Sequence, residues 1–334
     1  MKKNSIITVI TVVFIALVTI AACVTIPLTS RRTEEESLNE DSPVSLSADR
    51  TNILVGGCDR TSGLTDVIII LSIDEKSGTA SLMQIPRDTY AEYTTGSYKK
   101  LNGAYGALGA QGLCDFLSGS LGISIDRYLM MSPDALVEIV DALGGVEIYL
   151  EEPMRYSDPA QGLYISLDAG RQTLDGKRAE QFIRYRSGYA DGDLGRLDAQ
   201  KDFLCGLLAS VRKNTDAITM VRLAATLMGK TDTNITPAEG IRLAEAVLSF
   251  DTARLSLMTA PGEAVVAQSS GASYYSLSGR AMDEALSKYF GGGSGFDPQG
   301  VYLNERYEGF IKVYEGYSDY RVYSVKNIQS QNNY

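Results

Sequence analysis

The chain of 334 residues contains no histidine. That absence excludes a Ser-His-Asp triad and a Cys-His pair, since neither has its base without an imidazole. Histidine-ligated zinc and iron centres are excluded for the same reason. Chemistry is left to carboxylates, lysine, arginine, tyrosine, cysteine or an oxygen-ligated ion such as Mg2+. Cysteine is scarce: Cys23, Cys58, Cys114 and Cys205 show no C-x-x-C spacing, which argues against a cysteine zinc site. A Cys114–Cys205 disulfide is one reading, and three buried thiols in the body of the chain is the simpler one. Positive charge is in deficit, with 31 Lys and Arg against 41 Asp and Glu. A net acidic chain lacks the phosphate-neutralising surface that nucleic-acid binding requires, so no nucleic-acid partner is expected and any basic site has to be local. No internal repeat is present.

What the sequence does have begins at its N-terminus. Lys2 and Lys3 precede an uncharged stretch whose apolar core runs from Ile6 to Leu28. That length crosses a hydrocarbon slab of about 30 Å. The expected organisation is a cytoplasmic tail at 1–5, a transmembrane helix at 6–28 and an acidic linker at 29–50 that includes Glu34, Glu35 and Glu36. A folded domain over 51–290 and a tyrosine-rich extension over 291–334 follow. The body lies outside the membrane. Ile20-Ala21-Ala22-Cys23 offers lipoprotein anchoring at Cys23 as the alternative, and a cleaved signal peptide is the third reading. The apolar run continues through Val24, Ile26 and Leu28, which favours an uncleaved anchor. The extension carries Tyr302, Tyr307, Tyr314, Tyr317, Tyr320 and Tyr323, and reads as a peripheral hairpin whose rings pack on the domain edge.

Within the body, Asn52–Gly56, Asp66–Asp74 and Ala80–Ile85 read as strands, the second β-branched and buried on both faces. Arg127–Met131, Val146–Leu150 and Arg254–Ala260 are further strands. Helical spacing marks Asn102–Leu121, Asp175–Arg184, Asp193–Lys213, Thr219–Met228, Pro237–Phe250 and Gly279–Phe290. Pro133–Leu143 is a helix with Ser132 at its N-cap and Pro133 at N1, stopped by Gly144-Gly145. Strands interleaved with helices predict an α/β fold, a sheet covered on both faces.

Three groups of residues stand where ligand chemistry is done. Asp59 follows the first strand and Asp66 opens the second; two carboxylates plus phosphate oxygens suit Mg2+, and two turn-forming loop aspartates are the alternative. Arg87 and Asp88 follow the third strand, at the end where open α/β sheets bind ligands. Arg184 and Arg186 end one helix, and Asp193-Leu194-Gly195-Arg196 begins the next, with Gln200 one turn on. A helix start ringed by guanidinium forks is an anion site, to which Lys99 and Lys100 add charge. A solvated basic face is the alternative.

The segments ILVGGCD, TDVIIILSID, QIPRDTY, KKLNGAY, DALGGVEIYL, LDGKRAEQFIRYR and DGDLGRLDAQ, in this order, resemble the LytR-CpsA-Psr family of cell-wall glycopolymer transferases from about Asn52 to Phe290. TAPGE at Thr259–Glu263 and Ser273-Tyr274-Tyr275 are similar to its C-terminal portion. The resemblance implies an α-β-α sandwich with a central mixed sheet whose core holds a polyprenyl tail. It implies phosphotransfer of a teichoic acid, capsule or other wall polysaccharide from an undecaprenyl-pyrophosphate carrier to peptidoglycan. By motif, Asp59 and Asp66 would hold Mg2+ (or Mn2+). Arg87, Arg184, Arg186, Arg196 and Gln200 would surround the diphosphate, with Arg60, Lys100 and Asp193 beside them. The chain departs from the family at Leu64 and Ala199, where arginine is frequent. A polyprenyl-pyrophosphate hydrolase and a non-catalytic polyprenyl-lipid-binding assembly factor are the alternatives with the same site.

Overall fold

A computed structural model describes residues 50–58, 63–94, 98–159, 163–186, 188–189, 193–213, 223, 230–292, 310–314, 322–326 and 328. The expected membrane anchor lies outside these residues, as do the acidic linker apart from Arg50, which opens the first strand, Asp59, Arg60, nearly all of Thr219–Met228, and Tyr302, Tyr307, Tyr317 and Tyr320. Among the described residues no helix is long and apolar enough to cross a membrane.

The elements in chain order are β1 (Arg50–Cys58), β2 (Thr65–Asp74), β3 (Thr79–Ile85), α1 (Ala104–Leu121), β4 (Arg127–Met131), α2 (Pro133–Ala142) and β5 (Val146–Leu150). After them come β6 (Met154–Asp158), β7 (Leu163–Leu167), β8 (Gly170–Leu174), α3 (Gly176–Arg184), α4 (Asp193–Lys213), β9 (Thr231–Thr233) and α5 (Pro237–Ser249). The last are β10 (Leu255–Thr259), β11 (Gly262–Ala267), β12 (Ser273–Leu277), α6 (Gly279–Tyr289), β13 (Phe310–Tyr314) and β14 (Tyr323–Ser324).

A seven-stranded mixed sheet runs in the order β14-β10-β3-β2-β1-β4-β9. β1 pairs parallel with β4 and β3 parallel with β10, while β1–β2 and β2–β3 are antiparallel. The side-chain period of two divides each central strand between two cores. Ile53, Val55, Val67, Ile69, Leu71 and Leu82 face a layer built by α2, α3, α4 and α5. Leu54, Ile68, Ile70, Met83 and Ile85 face α1 and α6. The expected mixed sheet between helical layers is therefore present, and strands buried on both faces explain their continuous apolar runs.

Only β5 was readable from sequence in the stretch between α2 and α3. The structure pairs β5 with β8 and β6 with β7 as two short ribbons. Three successive residues of β6 face solvent, so no alternation marks it. Cys58, Cys114 and Cys205 are buried free thiols, as the simpler reading had it. Cys114 belongs to the α1/α6 core and Cys205 to the opposite one, so the sheet separates them. Burial, helped by Asp115 and Asp126, pushes the Cys114 thiol up to about 12.

The joint between α2 and α3 depends on one glycine. Asp175 caps α3 through the Arg178 backbone N–H, and the Gly176 N–H donates to Asp141 Oδ1 at 2.8 Å. A Cβ at Gly176 would stand 2.2 Å from the Val137 carbonyl oxygen and 2.7 Å from its Cα. Backbone cannot give way as a flexible side chain can. Gly176→Ala is expected to destabilise the domain by about 3 kcal/mol, read as a fall of roughly 6–12 °C in Tm.

Candidate functional site

β2 and β3 run antiparallel, so the start of one and the end of the other share an edge of the sheet. The last paired residues are Ile68 and Ile85. Asp66 and Arg87 stand two residues beyond each, and Arg87 Nη1 donates to Asp66 Oδ1 at 2.6 Å. Only 13% of the Arg87 side chain and 6% of that of Asp66 is exposed. Pro86 ends the strand, and Thr89 donates to its carbonyl through both N–H (3.0 Å) and Oγ1 (2.6 Å). This turn brings Asp88 to Lys100, whose Nζ is 3.0 Å from Asp88 Oδ1 and 5.8 Å from the Tyr274 ring centre. Tyr98 borders the group: burial raises its pKa, its hydrogen bond to Asn102 opposes the rise, and the Asp88 charge adds to it.

α4 meets the same strand end from the other face of the sheet. Gln84 Nε2 donates to Gln200 Oε1 at 3.2 Å. Arg196, one turn before Gln200, is 1% exposed. Thr259 on β10 is the register partner of Gln84. Gln84 Oε1, Gln200 Nε2 and Thr259 Oγ1 are buried and make no hydrogen bond among the described residues. Each such group costs about 1–3 kcal/mol while it stays unsatisfied. A row of them beside a buried guanidinium has hydrogen-bonding capacity that a polar ligand or ordered water can take up.

The expected site residues therefore divide. Asp66, Arg87 and Lys100 gather on one side of the β3 terminus, and Arg196 and Gln200 approach it from the other. Arg184 instead lies along its own helix, bonded to Glu180 Oε1 at 3.1 Å, and Arg186 is exposed beyond the helix end. Asp59, Arg60 and the Asp193 side chain fall outside the described residues. Leu64 is partly exposed at the mouth of β2, and Ala199 lines a cleft beside α4. Among the described residues no group of three or more carboxylates and thiols is placed to hold a metal. Asp66 is an oxygen donor of the kind a hard divalent ion takes, at a position where phosphate and water could supply the rest. Sequence reasoning singled out neither Gln84 nor Thr259, though both stand in segments that carried the resemblance. The available signal was a polar residue at an inward position of an otherwise apolar strand.

A mixed sheet between two helical layers, with guanidinium and unsatisfied amide groups at its strand ends, defines an α/β sandwich. The chain belongs to the LytR_cpsA_psr family, whose model matches residues 22–290. It is 27% identical over 206 residues to the polyisoprenyl-teichoic acid–peptidoglycan teichoic acid transferase TagV of Bacillus subtilis (strain 168), covering 60% of this chain and 52% of that protein. To the probable cell wall biosynthesis protein LcpB of Corynebacterium glutamicum it is 34% identical over 173 residues, 52% of this chain and 40% of the relative. The chain thus spans about half the length of the relatives it matches. The crystal structure of B. subtilis TagV superposes with a TM-score of 0.62 at 22% identity, over 77% of this chain and 100% of that one. TagT bound to LI-WTA gives 0.59 at 21% identity, over 76% and 94%. These likenesses show a shared fold.

Proposed function

We propose that the chain is a membrane-anchored, extracytoplasmic phosphotransferase that moves a wall glycopolymer from an undecaprenyl-pyrophosphate carrier to peptidoglycan. The observation that carries this reading is the buried Arg196 beside the unsatisfied polar atoms of Gln84, Gln200 and Thr259. The names of relatives add the substrate class: teichoic acid transferases among sequences, and TagT bound to LI-WTA among structures. The apolar run at 6–28 supplies the anchor.

In this reading Arg87 and Arg196 flank the diphosphate from the two faces of the sheet, and Gln200 and Thr259 fix its oxygens. Transfer needs positioning and charge neutralisation more than covalent help. An acceptor hydroxyl oxygen forms a bond to the sugar-side phosphorus, the bond from that phosphorus to the bridging oxygen breaks, and undecaprenyl phosphate leaves. Asp88, paired with Lys100, and Asp193 are the candidates to take the hydroxyl proton. Mg2+ (or Mn2+), held by Asp66 with Asp59, would add positive charge at the diphosphate oxygens. Behind Gln84 a narrow apolar slot of about 30 Å³ separates Leu82 and Leu257 of the sheet from Leu204 and Leu208 of α4. A long polyprenyl tail enters there only if α4 draws back from the sheet.

The test is reconstitution of the full chain in membranes with an undecaprenyl-pyrophosphate-linked wall polymer and Mg2+. Polymer joined to peptidoglycan through a phosphodiester, with release of undecaprenyl phosphate, is the expected result. Equal release without peptidoglycan would make the protein a hydrolase, and lipid binding without turnover an assembly factor.

A further inference from the structure

Beside the first turns of α4 lies a cleft of about 430 Å³ that plays no part in holding the diphosphate. Its walls come from the β5–β6 connection, the end of α3 and the start of α4. Tyr149, Tyr185 and Tyr189 line it. Tyr149 stands on the outward side of β5 and is 48% exposed. Tyr185 and Tyr189 meet edge to face, with ring centres 5.6 Å apart. The Tyr189 hydroxyl is buried and makes no hydrogen bond among the described residues. Glycine makes this packing possible: a Cβ at Gly195 would stand 2.6 Å from Tyr189 Cβ, and one at Gly188 2.4 Å from the Tyr185 hydroxyl.

The polar lining has one sign. Glu151, Glu152, Asp198 and Asp202 contribute carboxylates, and among the described residues no arginine or lysine lines the cleft. Lys201 pairs with Asp198, which leaves the lining net acidic. Aromatic faces with hydrogen-bond acceptors between them suit the apolar faces and hydroxyl edges of a sugar ring. The charge repels a polyanion and tolerates a neutral or cationic ligand. A phosphate-rich chain is therefore the wrong occupant, although the neighbouring Arg196 attracts phosphate.

We propose that this cleft is a saccharide subsite for uncharged or amine-bearing hexoses. The assignment of its occupant to one side of the transfer reaction rests on the phosphotransferase reading. Ala199 and Asp198 line the cleft from the same stretch of α4 that carries Arg196 and Gln200 but project from a different side of the helix, so a sugar seated there lies across α4 from the proposed diphosphate site. It is either the acceptor strand or the first uncharged sugars of the donor.

The experiment titrates the full chain in detergent with chitotetraose, its amine-bearing de-acetylated tetramer, and an oligo(glycerol phosphate). Both tetramers are expected to bind, the amine-bearing one more tightly at low salt, and the polyanion is expected not to. Tyr149→Ala, a largely exposed position, should weaken tetramer binding tenfold or more with an unchanged Tm. Glu152→Gln with Asp202→Asn should abolish the preference for the amine. Absence of tetramer binding in the parent chain, or full binding by Tyr149→Ala, would overturn the proposal. In the transfer assay, a rise confined to the acceptor KM in Tyr149→Ala seats the acceptor there, and a rise confined to the donor KM seats the donor's sugars. Arg196→Ala should retain tetramer binding while losing transfer. A parent chain that binds the tetramers but transfers nothing would sink the phosphotransferase reading and leave the subsite standing.

Discussion

Arg196→Ala will lower transfer by about a thousandfold or more, with the fold intact. A guanidinium that is 1% exposed has lost nearly all its water, and such burial is stabilising only in part, because the desolvation penalty offsets the attraction to any partner. Removing it gives up buried packing while relieving that penalty, so the net loss should be about 2–3 kcal/mol, roughly 4–12 °C in Tm, with the fold retained. Catalysis has no such compensation. Charge spreads over the phosphoryl oxygens during transfer, and in a water-poor site a fixed cation stabilises it far more than in solution. Arg196→Lys keeps the charge but loses the planar fork that binds two oxygens at once. It should fall between the parent and Arg196→Ala. The measurement is the initial rate of polymer attachment to peptidoglycan, paired with thermal unfolding. Unchanged turnover in Arg196→Ala would remove α4 from the diphosphate site.

The central strands were legible because burial on both faces leaves a sequence signature. Val67–Leu71 is aliphatic throughout, and all of Asp66–Asp74 but its last residue is buried. α2 was legible for a local reason, Pro133 at N1. β6 was not, since three of its five residues are exposed and nothing distinguishes it from a loop. The site divides in the same way. Position at a strand end pointed to Asp66 and Arg87, but their pairing depends on the β2–β3 register across 21 residues. Gln84 and Thr259 escaped notice because a polar strand residue reads as solvent-facing, and only the sheet order turns both toward α4. Arg184, expected at the diphosphate, also has Glu180 one turn earlier as an i,i+4 partner, a pairing that the sequence spacing already offers. The tyrosine cleft was hidden altogether: Tyr149 and Asp202 are brought together by the packing of α4 on β5, which no local pattern encodes.

Asp66→Ala will cost both stability and activity, and a double-variant cycle will separate the two. Asp66 accepts from Arg87 at 2.6 Å with both side chains largely buried. Truncating one member of a buried pair typically costs about 3–5 kcal/mol, since the other keeps its charge without its main partner. Partial exposure of Arg87 puts the expected loss near the lower end, about 3 kcal/mol. Arg87→Met should lose a similar amount. The double variant Asp66→Ala with Arg87→Met buries no charge at this point, so it should lose less than the sum of the single variants, with a coupling of about 2 kcal/mol. Activity should not follow stability. If Arg87 exchanges the carboxylate for phosphate when the donor binds, and Asp66 then turns to the metal, both groups act on the substrate and all three variants should be equally inactive. Urea unfolding gives the stability cycle, and transfer rates give the activity cycle. A double variant whose transfer recovers together with its stability would make the pair a clasp between β2 and β3, and would leave the diphosphate to Arg196 and its neighbours on α4.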